Sequence, residues 1–140
     1  MSPPILLDTG PLVAFVRAQD RHHPWAESRI GGILAPMLTC EAVLSETCHL
    51  LRATDGGPQA VMGMLRKGAI ALPFRLADHL DAVAALMAKY RDLPMSVADA
   101  CLVRMSELYD RSVVLTTDSH FRIYRRHGRQ VIPTLMPDSV

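Results

Sequence analysis

Five short runs with no polar alternation constrain the fold of this 140-residue chain more than any other feature: Pro4–Leu7, Ile33–Leu38, Ala69–Leu72, Val113–Thr116 and Val131–Pro133. A strand with one wet face alternates apolar and polar residues, whereas an unbroken apolar run is covered on both faces. Between these runs the period changes to that of a helix. Leu76, Leu80, Val83, Ala84, Met87 and Tyr90 predict a helix over Leu76–Tyr90, and Ala98, Cys101, Leu102, Met105 and Tyr109 predict one over Ala98–Tyr109. A third is expected over Thr39–Ala53. Shorter helices are expected at Pro24–Ile30 and at Gln59–Lys67, which follows the breaker run Asp55-Gly56-Gly57-Pro58. Buried strands alternating with amphipathic helices imply an α/β fold with a central parallel sheet of about five strands. A chain of this length forms one domain, 1–140, with a substantial core.

Two of these strands end in an acid. Asp8 follows the apolar run of ILLDTG, and Asp118 follows VVLTT. In an open parallel sheet, ligands bind beyond the carboxyl ends of the strands, near the point where strand order reverses. Two further acids occupy unexpected positions. Glu46 lies three residues after Val43 and four before Leu50, which places it on the apolar face of its helix. Asp99 opens the helix SVADACLVRMSEL next to the stripe of Ala98 and Cys101. Each has a structural use as well: Asp8 and Asp118 suit helix N-caps, and Ser96-Val97-Ala98-Asp99 suits a capping box. An unpaired buried carboxylate costs several kcal/mol, and four on one rim repel. A hard divalent cation, Mg2+ or Mn2+, relieves both penalties with oxygen ligands alone.

The remaining composition narrows the function. A net charge of +1 excludes a chain-wide basic surface for nucleic acid but leaves room for a local patch. Arg122, Arg125 and Arg126, with Arg129 and Tyr124, form such a cluster, suited to holding RNA phosphates and stacking a base, or to a solvated face. Arg17 and Arg21 carry the same two readings. His22-His23 is a poor metal pair, because adjacent side chains on a helix diverge. Cys40 and Cys48 stand about 12 Å apart on one helix, too far to bridge, and no Cys/His zinc spacing occurs. No basic leader precedes ILLD, and no window reaches the roughly 18–20 apolar residues of a membrane span, so a cytoplasmic protein is expected. A haloacid-dehalogenase-type phosphatase would place a second aspartate where Gly10 stands, and a receiver domain would pair acids at the first strand end.

The segments ILLDTGPLVAF, VLSETCHLL, SVADACLV and VLTTDSHF, in that order, resemble the PIN domain, and specifically the VapC-type toxins of bacterial toxin–antitoxin pairs. The resemblance spans nearly the whole chain. It implies a three-layer α/β/α sandwich and a Mg2+- or Mn2+-dependent endoribonuclease, in which a water attacks a backbone phosphorus in line. The family's acids fall on Asp8, Glu46, Asp99 and Asp118, as metal ligands and catalytic groups; Glu41 is the other occupant of the helix position. Its small hydroxyl residue before the last aspartate matches Thr116 or Thr117. The resemblance also implies an RNA substrate, a small cognate antitoxin protein and a homodimer. Two other functions fit the same fold: a non-catalytic interaction module, and a PIN nuclease of RNA processing outside toxin–antitoxin systems.

Overall fold

The computed structural model describes residues 2–140. Its main sheet has five strands: β1 (Ile5–Leu7), β2 (Met37–Leu38), β3 (Ile70–Ala71), β4 (Val113–Leu115) and β7 (Thr134–Leu135). The spatial order is β3-β2-β1-β4-β7, and every neighbouring pair is parallel. Six helices connect and cover the strands: α1 (Thr9–Val16), α2 (His23–Gly31), α3 (Glu41–Leu50), α4 (Gly57–Arg66), α5 (Leu80–Lys89) and α6 (Val97–Leu108). The expected α/β/α sandwich is therefore the observed fold.

Alternation along the strands divides the core between the two faces. Leu6 and Val114 pack with Val83, Leu86, Leu102 and Met105 of α5 and α6, while Leu7 and Leu115 pack with Leu12, Val13, Ile30 and Val61 of α1, α2 and α4. Helix α3 serves both sides, with Val43 in the first cluster and Leu44 in the second. No polar face is left on the two central strands, which is why their sequences do not alternate. The three cysteines are free thiols. Among the described residues, no helix is long and apolar enough to cross a membrane.

Three expected boundaries shift, each for a physical reason. The run Ile33–Leu38 becomes a strand only at Met37–Leu38, because Pro36 has no N–H for a ladder; Leu34 lies in the preceding loop, 100% exposed. The helix expected over Leu76–Tyr90 breaks at His79 (φ −133°, ψ 24°) into a 3-10 turn, Leu76–Asp78, and α5. The strand expected at Val131–Pro133 is split. Gln130–Val131 (β6) pairs antiparallel with Arg125–Arg126 (β5) in a separate hairpin, and the fifth strand of the main sheet is Thr134–Leu135. Pro133 contributes only its carbonyl, which accepts from Val114 N at 2.9 Å.

The strand order fixes where chemistry can sit. From β1 the chain moves outward to β2 and β3 on one side and to β4 and β7 on the other, so the order reverses between β1 and β4. Their carboxyl ends deliver Asp8 and Thr116–Asp118 into the crevice that such a reversal opens.

Candidate active site

Thr116, fully buried directly after β4, organises the crevice. Its hydroxyl donates to Asp8 Oδ2 at 2.6 Å and accepts from the backbone N–H of Asp118 at 2.9 Å. Asp8 is only 5% exposed. Its N–H extends the sheet to Leu115 O at 3.0 Å, and its Oδ1 caps α1 by accepting from Thr9 N at 2.8 Å. Burial pushes the Asp8 carboxyl up to about 7, against the hydrogen bonds from Thr116 and Thr9, and the charges of Asp99 and Asp118 push the same way. One glycine makes this closeness possible: a Cβ on Gly10 would stand 2.0 Å from Thr117 Oγ1. A side chain there would force the Thr117 side chain to shift from its place in the crevice.

Asp99, 8% exposed, occupies the third position of α6 and completes the capping box expected from the sequence. Its backbone N–H donates to Ser96 Oγ at 3.0 Å, and its Oδ2 accepts from Ser96 N at 3.4 Å. Oδ2 also accepts from the hydroxyl of Tyr124 at 3.1 Å. Burial raises the Asp99 carboxyl above its ordinary value, and Asp118 and Glu46 add to the rise. Asp118 turns toward the 3-10 segment Ser119–Arg122, where its Oδ1 meets both the backbone N–H and Nδ1 of His120 at 2.9 Å.

Glu46 differs from the burial expected of it. It is exposed on α3 rather than set in the apolar face, and Leu50 is 43% exposed beside it. The helix presents both at the rim of the crevice, so an apolar neighbour there does not mark the core. Glu46 Oε2 accepts from Thr9 Oγ1 at 3.3 Å.

Asp8, Glu46, Asp99 and Asp118 all line one cleft of about 340 Å³. Thr117 lines it too, whereas Thr116 supports it from beneath. Glu41, in the first turn of α3, is not among the lining residues. Among the described residues, no three His, Cys, Asp or Glu side chains stand close enough together to hold a metal ion as they are placed. The donor chemistry nonetheless fits a hard divalent cation, since the acids supply oxygens only.

The arginine cluster is placed differently from its functional reading. Arg122 donates to Val140 O, Arg125 to the carbonyls of Arg122, Ile123 and Tyr124, and Arg126 to Ser106 O; none of the three lines the cleft. Tyr124 is 0% exposed, so it cannot stack on a base; its ring packs against Tyr90 and Phe121 instead. Its bond to Asp99, across 25 positions in the chain, has no signal in the sequence. Arg17 and His22 line the cleft, while His23 turns away to contact Ala14 O at 2.7 Å.

An α/β/α fold whose strand-order reversal gathers Asp8, Glu46, Asp99 and Asp118 in one cleft, with Asp20 also in its lining, defines the class, and a model of the PIN domain matches residues 5–126. The chain belongs to the PIN domain family. It is 28% identical over 128 residues to Ribonuclease VapC26 of Mycobacterium tuberculosis (strain ATCC 25618 / H37Rv), which covers 89% of this chain and 94% of that protein. It also resembles the crystal structure of Mycobacterium tuberculosis VapC20, a sarcin–ricin loop cleaving toxin, with a TM-score of 0.70 at 20% identity, over 82% of this chain and 90% of that one.

Proposed function

We propose that this chain is a VapC-type endoribonuclease, the toxin of a type II toxin–antitoxin pair, acting in the cytoplasm with Mg2+ or Mn2+. The observation that carries the reading is the cleft itself: in a PIN-family chain, all four sequence-selected acids line one crevice at the reversal of strand order. PIN nucleases generally depend on a divalent metal. A bound cation would supply Lewis acidity toward a phosphate oxygen and lower the pKa of the attacking water.

The residues divide the remaining work. Asp8 and Asp99 would hold the cation, each already oriented by hydrogen bonds that leave little rotational freedom. Thr116 keeps the Asp8 carboxylate and the Asp118 backbone in register. Asp118 and Glu46 would complete the ligand set or position the water. RNA would enter as the substrate. A small antitoxin protein would silence the site by covering it, and an arginine fork is the chemistry that satisfies several carboxylates at once. A homodimer belongs to the same reading.

Incubation of purified protein with single-stranded RNA tests the proposal. Cleavage is expected with Mg2+ or Mn2+, suppressed by EDTA and lost in Asp99→Asn prepared in parallel. Cleavage that persists in excess chelator would sink the metal mechanism. No cleavage by the wild type would favour the non-catalytic interaction module.

A further inference from the structure

The four acids create a difficulty that the ribonuclease reading leaves open. A cleft that repels anions must accept a polyanion, and one cation cannot offset the field over several nucleotides. Among the described residues lining the cleft, Arg17 is the only lysine or arginine. It ends α1 as the C-cap, with its own N–H on Val13 O at 2.8 Å. Its side chain reaches across to the end of α3: Nε donates to Thr54 Oγ1 at 3.4 Å and Nη2 donates to Leu50 O.

Both partners are neutral. Among the described residues, no ion pair joins Arg17 to any carboxylate, so the acids of the cleft do not consume its charge. A guanidinium carries five N–H donors, and two are taken, which leaves three unshared. A guanidinium already fixed at two points loses little freedom when an anion arrives, and its fork matches a phosphate.

Resting on the ribonuclease reading, we infer that Arg17 is a substrate-binding residue: it takes a non-bridging oxygen of an RNA backbone phosphate next to the one being cleaved. The cluster Arg122, Arg125 and Arg126, whose guanidiniums donate to backbone carbonyls outside the cleft, does not serve this role.

The test measures binding of a short fluorescein-labelled single-stranded RNA by anisotropy across a salt series, with Mg2+ present and in an Asp99→Asn background that prevents cleavage. Arg17→Gln should weaken binding about five- to tenfold and lower the slope of log K against log salt by about 0.7, the value of one phosphate contact on a single strand. Arg17→Lys should recover part of the affinity and the whole slope, because the charge remains. Arg122→Gln should bind like the parent. In the cleaving enzyme the loss should appear in KM. A purely structural tie between α1 and α3 would lower the melting temperature of Arg17→Gln and leave the salt slope untouched. That slope unchanged, or an equal loss in Arg122→Gln, overturns the inference while wild-type cleavage still stands; a wild type that neither binds nor cleaves RNA overturns both.

Discussion

The two walls of the cleft are built differently. On the wall formed by the ends of β1 and β4 and the start of α6, Asp8 and Asp99 are buried, each carboxylate accepts two hydrogen bonds, and Thr116 ties the ends of β1 and β4 together. On the α3 side, Glu46 is exposed and accepts one long bond, 3.3 Å from Thr9. The first wall is held by the same packing that forms the core. The second is a long side chain on a helix surface with rotamers to spare. Position is thus fixed on one side and adjustable on the other, and the cost of burying charge falls almost wholly on the fixed side.

The largest expected effect separates the walls by activity. Asp8→Asn removes a pre-oriented ligand and should lower kcat/KM by about a thousandfold or more, within the range for loss of a positioned catalytic group. Glu46→Gln keeps an oxygen at the rim and should cost only about ten- to a hundredfold, as for groups that tune a site. Initial rates of RNA cleavage at saturating Mg2+ decide the matter. Equal losses would mean that Glu46 is as firmly committed as Asp8, and the contrast would fail.

Stability in chelator should show the same asymmetry. The Asp8 carboxyl is pushed up to about 7 in the folded chain, against an ordinary 3.8, so the folded state holds its proton more tightly than the unfolded one. Its stabilising contribution is complete below the unfolded value and is lost as pH rises through about 7. Asp99 is raised in the same sense. Metal-free wild type should therefore gain melting temperature between about pH 8 and about pH 5, and Asp8→Asn should flatten that trend. Mg2+, which competes with the proton, should stabilise the wild type more at the higher pH. If Asp8→Asn keeps the wild-type pH dependence, the burden of burial lies elsewhere.

Thr116 is the joint on which the fixed wall depends. Thr116→Val keeps the shape but strips the donor to Asp8 and the acceptor for the Asp118 N–H, leaving buried polar groups unpaired. A loss of about 1–3 kcal/mol is expected, read by denaturant unfolding. Thr116→Ser restores both bonds and should recover most of it. Equal losses in the two variants would show that packing of the methyl group, not the hydroxyl, matters there.

The fixed wall was also the part legible in the sequence. Asp8 and Asp118 end apolar strands, and the unbroken apolar run with its abrupt polar end is visible in ILLD and VVLTTD. Asp99 offered two readings, cap and cleft acid, and the structure shows that one side chain does both: Oδ2 receives the capping and tyrosine donors while the residue lines the cleft. Glu46 was located, but its burial was not, because one residue is about 100° of helix and the apolar Leu50 beside it is itself at the rim. The last sheet strand escaped because Pro133 precedes it and only Thr134 and Leu135 pair, too short a run to show a period. The arginine cluster misled because charge density in sequence carries no direction; its members fold back onto carbonyls.

Tyr124 offers the smallest and most discriminating break. Its ring is held by Tyr90 and Phe121, and Tyr90 in turn accepts the Arg125 N–H at 2.8 Å, so the aromatic cluster does not need the Tyr124 hydroxyl to keep its place. The hydroxyl has one partner, Asp99 Oδ2. Tyr124→Phe therefore deletes a single hydrogen bond to a carboxylate and little packing. Ser96 would still hold the same oxygen through the capping box, though at the longer 3.4 Å. If the fixed wall is rigid because its bonds are redundant, the change should cost about 1 kcal/mol in unfolding free energy and less than about tenfold in kcat, below the usual effect of losing a ligand's supporting partner. If Tyr124 is instead the main restraint on Asp99, the loss in kcat should approach that of Asp99→Asn while the fold remains intact. Near-wild-type cleavage would mean that burial and the capping box alone fix Asp99, and that the rigidity of this wall comes from the backbone of α6 rather than from side-chain partners.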